Sequence, residues 1–289
     1  MHKFLSSIGF TNCKKKDLDT IVRSIIENPD EVRTAKNSEG NQFVELIRMV
    51  ADDIGLSVRG TYLDDGSFEM EYLCPFFYGE SVTTQEEVDV ERNSERESYA
   101  GVCDDANVGV SMIFYLLNVV DYLSRSGINS QGKIYGACLS GLSIEGKILL
   151  PIYSREEKTK AGNCRFQERN QLVAQAREGN EEAIESLTLE DMDIYSMISR
   201  RVVNEDVLSI VNTTFIPYGI ESDKYSIVAE ILDVNKVTNS ITNEQMYKMK
   251  VSCNDLVFDI LINERNLVGE PAVGRRFKGN IWMQGSVCL

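Results

Sequence analysis

From 256 to 262 the sequence alternates, with Leu256, Phe258, Ile260 and Ile262 on one side and Asp259 on the other. A period of two residues is typical of a β-strand. A second β-like run follows at 280–283, and three glycines and Pro271 lie between the two runs. Glycine tolerates positive φ and proline fixes φ, so this arrangement predicts a shaped loop between two strands rather than a helix.

The same loop concentrates positive charge. Arg275, Arg276 and Lys278 lie in it, and Trp282, the only tryptophan of the chain, follows them. Guanidinium groups fork onto phosphate or carboxylate, and glycines let a backbone approach a ligand. These residues therefore predict an anion-binding site. A second interpretation stays open, in which the cations are solvated or pair with acids such as Glu264, and the tryptophan belongs to the core.

Charge elsewhere is strongly negative. The formal net charge is −15, and residues 217–289 carry 8 Lys and Arg against 9 Asp and Glu, so nearly all of the excess lies in the first 216 residues. An acidic surface repels nucleic-acid phosphates and anionic lipids. General nucleic-acid binding and membrane binding are therefore not expected.

Cysteine usage indicates the compartment. The chain has 7 cysteines, an odd number, and they form no CxxC motif. This pattern predicts free thiols in a reducing compartment and gives no support for a cysteine-based zinc site. The N-terminal residues do not resemble a signal peptide, and the longest apolar run, 108–120, is too short to span a bilayer. We therefore expect a cytoplasmic protein.

Residues 1–164 combine helical and β patterns. Apolar residues at helical spacing predict a helix over 18–28, and 56–63 and 68–76 predict a hairpin that turns at Asp-Asp-Gly-Ser. Residues 43–54 fit a helix better than a strand. The acidic run 85–105 predicts a mobile surface loop or a short exposed helix, because it has few apolar residues.

The remaining patterns complete the predicted architecture. A strand that runs into a helix is expected over 108–123, and a second hairpin over 134–152 with its turn at Glu145-Gly146. Helical spacing then predominates over 165–211, and short strands fill the chain from 218 onward. Asn180 is a predicted N-cap in the helical stretch.

The predicted fold class is therefore α+β. It comprises an N-terminal mixed α/β domain with hairpins at 1–164, a helical connector at 165–216, and a C-terminal small β domain at 217–289. The C-terminal domain is expected to be a small barrel or meander, with an OB-like barrel as one candidate.

The residues present argue against several enzyme classes. His2 is the only histidine, which removes Ser-His-Asp, Cys-His and multi-histidine metal chemistry unless the N-terminal segment folds into a site. Residues 141–147 match the start of a P-loop, but Ile148 stands where Ser or Thr is required, so we reject nucleotide hydrolysis. No GxGxxG motif follows a strand.

Clustered carboxylates keep one enzymatic alternative open. Two converging carboxylates can perform acid and base chemistry or hold magnesium. The alternative hypothesis is a metal-dependent hydrolase or transferase that uses Glu190, Asp191, Asp193, Glu205 and Asp206. The other interpretation is that these acids lie near helix starts and complement the helix dipole.

Several segments together resemble a known family: MHKFLSSIGF, ESYAGVCDDANVGVSMIFYLLN, LSGLSIEGKILLPI, EAIESLTLEDMDIYS and NERNLVGEPAVGRRFKGNIWMQG. The chain resembles, over nearly its whole length, a family of bacterial proteins from Gram-positive anaerobes that is described as a domain of unknown function. The resemblance implies a cytoplasmic bacterial protein with one family-wide architecture, and it brings no activity, cofactor or catalytic residue.

The preferred hypothesis is a non-enzymatic binding protein whose C-terminal loop recognises an anionic ligand or a protein partner. No cofactor is expected.

Overall fold

The computed structural model describes residues 2–36, 40, 42–63, 65–93, 98–105, 108–126, 133–152, 172, 175, 176, 179–189, 192, 208, 211–220 and 222–289. By its internal contacts the chain divides into two compact units. The first comprises Met1–Leu149 with Thr213–Leu289, and the second comprises Leu150–Asn212. The predicted boundaries at 164 and 216 stay a prediction.

Strands predominate in the part of the chain that the structure describes, and helices are few. The predicted α+β class with a helical connector is therefore wrong: the chain is mostly β, with two sheets. The strands are β1 (Glu31–Lys36), β2 (Gln42–Ala51), β3 (Ile54–Tyr62), β4 (Phe68–Phe77), β5 (Thr84–Arg92), β6 (Tyr99–Asp104), β7 (Ser111–Leu116), β8 (Ile134–Leu149), β9 (Thr214–Pro217), β10 (Lys224–Thr238), β11 (Gln245–Cys253), β12 (Leu256–Asn263), β13 (Leu267–Val268) and β14 (Arg276–Val287).

The helices in the described residues of the first unit are short. They are α1 (Lys15–Glu27), α2 (Val119–Ser126) and two 3₁₀ helices at Lys3–Ile8 and Glu264–Asn266. The first predicted helix is confirmed by α1, and the predicted passage from a strand into a helix is confirmed by β7 and α2.

The smaller sheet contains β1 to β4 in chain order, each antiparallel to the next. The hairpin of β3 and β4 confirms the predicted one, with Tyr62 opposite Phe68. Helix α1 packs against β2 and β3 through Leu18 and Ile25, which are buried.

The larger sheet closes on itself through β8 and β14, which pair antiparallel over most of their length. One ring of hydrogen-bonded strands runs β8, β14, β10, β11, β12 and back to β8, where β12 and β8 are parallel. A second ring runs β8, β5, β6, β7, β14 and back to β8. The C-terminal strands are therefore completed by β8, which comes from an earlier part of the chain.

Hydrogen bonds from Gln284 join the two sheets. This side chain is on β14 and completely buried, and its Nε2 donates to the carbonyl of Pro75 at 2.9 Å while its Oε1 accepts from the backbone N–H of Phe77 at 3.1 Å. The end of β4 is thereby fixed against β14. This junction positions the site described below.

The region 43–54 is not the predicted helix: residues 43–51 lie in β2, and Ile54 begins β3. Residues 43–47 are all buried, because Val44 and Leu46 face one apolar cluster while Phe43 and Ile47 face two others. Burial on both faces removes the alternation that marks a strand. The prediction failed for that reason.

The acidic run 85–105 is also β, so the predicted loop or exposed helix is wrong. Its residues supply β5 and β6, which pair antiparallel with Val88 opposite Cys103. Val88, Tyr99 and Cys103 are buried in the core. Glu86, Asp89, Glu91 and Asp104 are exposed, and these acids conceal the strands in the composition of the run.

The predicted hairpin over 134–152 is wrong as well. Ile134 to Leu149 form one continuous strand, β8, and Gly146 lies within it opposite Gly279 of β14. The strand at this place agrees with the rejection of a P-loop, which requires a helix to begin there.

In the second unit, residues 181–189 are helical. Asn180 confirms its predicted capping role, since its Oδ1 accepts from the backbone N–H of Glu182 at 3.0 Å and of Ala183 at 3.3 Å. The rest of the predicted connector lies mostly outside the described residues.

No helix among the described residues has the length and apolar character needed to cross a membrane.

Candidate functional site

A cavity of about 370 Å³ opens in the first unit where α1, β4, β7 and β14 come together. Its position follows from the fold, since Gln284 holds β4 against β14 and α1 lies across the smaller sheet. The cavity is lined by His2, Leu18, Asp19, Val22, Met70, Tyr72, Leu73, Cys74, Ser98, Tyr115 and Trp282.

Trp282 lies at the centre of an aromatic wall. Its ring centroid is 4.8 Å from that of His2, 5.2 Å from that of Tyr115 and 5.3 Å from that of Phe4. The indole Nε1 donates a hydrogen bond of 2.7 Å to Asp223 Oδ2. Because the indole N–H is satisfied away from the cavity, the orientation of the ring is fixed.

His2 contributes the most unusual polar atom of the wall. Its Nδ1 is buried and has no hydrogen-bond partner among the described residues. Burial, followed by repulsion from the nearby Lys224, lowers the pKa of His2 to about 4. The imidazole is therefore neutral at pH 7, and a buried polar atom of this kind carries an energetic cost until a partner meets it.

An ion pair lies behind the tyrosines of the cavity. Arg59 is 1% exposed, and its Nε donates to Glu45 Oε1 at 2.6 Å. The Nη1 of the same guanidinium donates to the hydroxyl oxygens of Tyr115 at 2.8 Å and Tyr72 at 3.0 Å. Nη2 donates to the carbonyl of Leu117 at 3.1 Å. Arg59 thus holds both phenols in place without lining the cavity.

Three other ionisable groups of the lining, Tyr72, Cys74 and Tyr115, are also in their neutral forms. Burial raises the pKa of Cys74 to about 11 and raises the pKa values of Tyr72 and Tyr115 above their usual value. A thiol with this pKa has almost no thiolate at neutral pH. The enclosed part of the cavity therefore offers rings and neutral hydrogen-bonding groups rather than charges.

Two lysines flank the ring of Phe4 next to this wall. The Nζ atoms of Lys3 and Lys224 lie 5.6 Å and 5.7 Å from the ring centroid. Lys224 stands opposite Trp282 in the pairing of β10 with β14. Burial and the neighbouring Lys3 lower the pKa of Lys224 to about 8. The potential beside His2 is therefore positive.

The structure separates Trp282 from the three cations predicted to share its site. Arg275 lies in the turn before β14, where its Nη1 donates to the carbonyl of Glu270 at 2.6 Å. Arg276 is only 4% exposed, and burial lowers its pKa. Lys278 is exposed, two residues further along β14. Four residues of strand, about 13 Å, separate Lys278 from Trp282, and none of the three cations lines the cavity.

The carboxylates of the alternative hypothesis, Glu190, Asp191, Asp193, Glu205 and Asp206, lie outside the described residues. Within the described ranges, no group of three or more metal-ligating side chains comes together. The metal-dependent alternative stays a prediction, and a rise in melting temperature with millimolar Mg²⁺ or Mn²⁺ would support it.

The sequence singles out Trp282 but not its neighbours. Tyr72 and Cys74 lie on β4 and Tyr115 lies on β7, and nothing in their local patterns marks them as parts of one wall. The sequence admits His2 to a site only if the N-terminal segment folds into that site. The residue does line the cavity, because the 3₁₀ helix at Lys3–Ile8 places it against Trp282.

The fold and the cavity together define a two-sheet β protein with an aromatic-walled pocket. The chain belongs to the family described as "Domain of unknown function, E. rectale Gene description (DUF3881)", whose model matches residues 5–285. This match confirms the predicted resemblance, since E. rectale is a Gram-positive anaerobe. No curated protein and no solved structure matches the chain.

Proposed function

We propose that this chain is a non-enzymatic binding protein that takes a small, flat, uncharged organic molecule into the cavity beside Trp282. The observation that carries the proposal is the buried Nδ1 of His2 in the aromatic wall, which has no hydrogen-bond partner in the described part of the chain. A ligand that stacks on the rings and presents one polar group to this nitrogen would remove its energetic cost.

The size of the cavity supports a ligand of this class. Its volume of about 370 Å³ lies at the lower end of the range for small-molecule pockets. Rings prefer to stack or meet edge to face at centroid separations of roughly 4.5–7 Å. A planar heteroaromatic molecule can meet both Trp282 and Tyr115 at such distances.

The protonation states support binding rather than catalysis. Cys74 is a thiol rather than a thiolate, and the low pKa of His2 makes it a weak base. Neither group is suited to activate a substrate at neutral pH. Both are suited to neutral hydrogen bonds.

Titrations that follow the fluorescence of Trp282 test the proposal. We expect indole, quinoline or purine to give a saturable change and to raise the melting temperature. Val22→Phe places a ring in the cavity and should abolish the change. Val32→Phe, the same substitution at an exposed position of β1, should leave it intact. Equal responses from both variants, or no response to any probe in the folded wild type, would overturn the proposal.

An anion site at the positively charged end of β14 is a second candidate, as the sequence predicts for Arg275, Arg276 and Lys278. The observation that favours it is the pairing of Lys278 directly opposite Lys147 of β8, with both side chains exposed. Like charges directly opposite each other are destabilising, so an anion between them would relieve repulsion.

Calorimetric titration with pyrophosphate tests this second site independently of Trp282. We expect binding that weakens with salt and disappears in the double variant Lys147→Ala/Lys278→Ala. Lys36→Ala, which removes an exposed lysine on β1, is the matched control. Binding that persists in the double variant would show that these two lysines form no site.

We also propose a cytoplasmic location and a protein partner. The free state of the six described cysteines supports a reducing compartment.

A further inference from the structure

Two cysteines that are far apart in the sequence meet at one end of the β8–β14 pair. Cys138 is on β8, opposite Ser286 of β14, and Cys288 directly follows the last residue of β14. The backbone N–H of Cys288 donates to the carbonyl of Gly136 at 3.0 Å. Because side chains at alternate positions share a face of the sheet, Cys138 and Cys288 lie diagonally across the pair on the same face.

The two thiols lie close to each other, since the Cys288 thiol contributes to the raised pKa of Cys138. Gly136 provides the space for the Cys288 side chain, since a Cβ added to this glycine would lie 3.3 Å from Cys288 Sγ, and its φ of +89° also favours glycine. A glycine at this position therefore accommodates the Cys288 side chain beside Cys138.

Exposure sets this pair apart from three other cysteines. Cys74, Cys103 and Cys253 are buried, whereas Cys138 and Cys288 are half-buried. A reagent in solution can therefore reach the pair while the core thiols stay protected. Burial and the neighbouring thiol raise the pKa of Cys138, so its reaction should be slow at neutral pH and faster at alkaline pH.

We propose that Cys138 and Cys288 form a reversible intramolecular disulfide that ties the end of β14 to β8, with a low-molecular-weight disulfide as the oxidant. The thiolate of one cysteine attacks a sulfur of the oxidant and releases one small thiol, leaving a mixed disulfide on the protein. The second cysteine attacks the protein sulfur of that mixed disulfide and releases the second small thiol. Two protein thiols are oxidised, and one small disulfide is reduced to two thiols.

The bond would act on the most connected strands of the fold. β14 pairs with β8, β10 and β7 and carries Trp282. A disulfide between 138 and 288 closes a long loop in the unfolded chain, which disfavours unfolding. The oxidised protein should therefore be the more stable form.

Oxidised glutathione with the folded full-length chain at pH 8.5 provides the test. We expect an intact mass lower by two hydrogens, a non-reduced peptide map that links Cys138 to Cys288, and a melting temperature raised by roughly 5 to 10 °C. Reduction with dithiothreitol should reverse all three changes.

Variants that lack one of the two cysteines distinguish the proposed disulfide from non-specific oxidation. Cys138→Ser and Cys288→Ser should each stop at a mixed disulfide with one glutathione, because the resolving thiol is missing. Cys13→Ser is the matched control, since Cys13 is a partly exposed cysteine on another segment, and it should behave as the wild type. Two glutathiones on the wild-type chain, or a disulfide that maps to any other cysteine, would overturn the proposal.

Discussion

The side chain of Arg59 connects the interior of the smaller sheet to the cavity. It neutralises Glu45, which is 2% exposed, and it donates to the hydroxyl oxygens of two tyrosines that line the cavity. Glu45 Oε1 also accepts from Ser57 Oγ at 2.7 Å, while Glu45 Oε2 is buried without a hydrogen-bond partner among the described residues. A buried pair of this kind contributes little net stability over an apolar substitute, but the loss of one partner leaves an isolated buried charge.

Glu45→Gln removes the negative charge while nearly preserving the side-chain volume. We expect the free energy of unfolding to fall by about 3–5 kcal/mol, because the guanidinium of Arg59 is left buried without its counterion. Glu87→Gln is the matched control. Its partner Lys133 is 63% exposed, so the loss should stay below about 1 kcal/mol. Urea unfolding monitored by circular dichroism measures both values, and equal losses would contradict the assigned role of Arg59.

His2 should make stability depend on pH in a defined window. Its pKa falls from 6.5 in the unfolded chain to about 4 in the folded protein. The unfolded state therefore binds more protons between these values, so this contribution is fully present above pH 6.5 and is lost as pH falls towards 4. The loss should reach about 3 kcal/mol.

The difference in unfolding free energy between the wild type and His2→Phe isolates this contribution from other titrating groups. Asp223 and Asp259, whose pKa values burial raises, are present in both proteins and cancel in the difference. A difference that stays constant from pH 7 to pH 4 would mean that His2 is not held neutral against Trp282.

At the scale of elements, the strands of the second ring rely on close contact between a glycine and an aromatic ring. Gly101 of β6 lies directly opposite Phe114 of β7, and a Cβ added to Gly101 would lie 2.2 Å from Cζ of that ring. Phe114 is completely buried, so the ring cannot swing into solvent. The glycine lets the ring lie flat across the neighbouring strand.

Gly101→Ala should therefore destabilise the protein by about 1–3 kcal/mol through overpacking. The double variant Gly101→Ala/Phe114→Leu should lose less unfolding free energy than the sum of the losses in the two single variants, because leucine leaves space for the added methyl group. Thermal or urea unfolding of the four proteins gives the coupling energy. Strict additivity of the two losses would show that the ring and the glycine do not meet as described.

Local patterns predicted the elements that have one apolar and one polar face. They failed for elements in which burial on both faces or acidic residues obscure this difference. The hairpin of β3 and β4 was predicted from its Asp-Asp-Gly-Ser turn, and α1 from its single apolar stripe. β2 is buried on both faces, and the acids of β5 masked Val88, so neither showed a clear period of two. The sequence predicts a turn at Gly146, but β8 is continuous there. The glycine is needed at this position because a Cβ would lie 2.4 Å from the ring of Phe277.

At the scale of the whole molecule, the candidate site and the thiol pair depend on contacts that no local pattern encodes. The ring of His2 packs against that of Trp282, 280 positions further along the sequence, and the β8–β14 pairing brings Cys138 and Cys288, 150 positions apart, to the same end of the sheet. Trp282 could be selected because it is the only tryptophan. Its neighbours could not, because the pairing of β14 with β7 and β8 determines which side chains surround it.

The position of β8 in both rings predicts which parts of the chain can fold alone. Without β8, the strands β12 and β14 each lose a partner, and the ring that contains them stays open. Ile260, Ile262, Phe277 and Ile281 would then lose part of their core. An open sheet with an apolar face and unpaired edges tends to aggregate rather than fold.

We therefore expect residues 213–289 alone to be unfolded or aggregated, with a poorly dispersed amide NMR spectrum, and residues 1–149 alone to behave likewise. Co-expressed, the two fragments should purify together and give a dispersed spectrum, because β8 then completes both rings. The fragment 217–289, the predicted independent C-terminal domain, provides the decisive comparison. A dispersed spectrum from this fragment by itself would show that the C-terminal strands close without β8, and the three-domain division expected from the sequence would then hold.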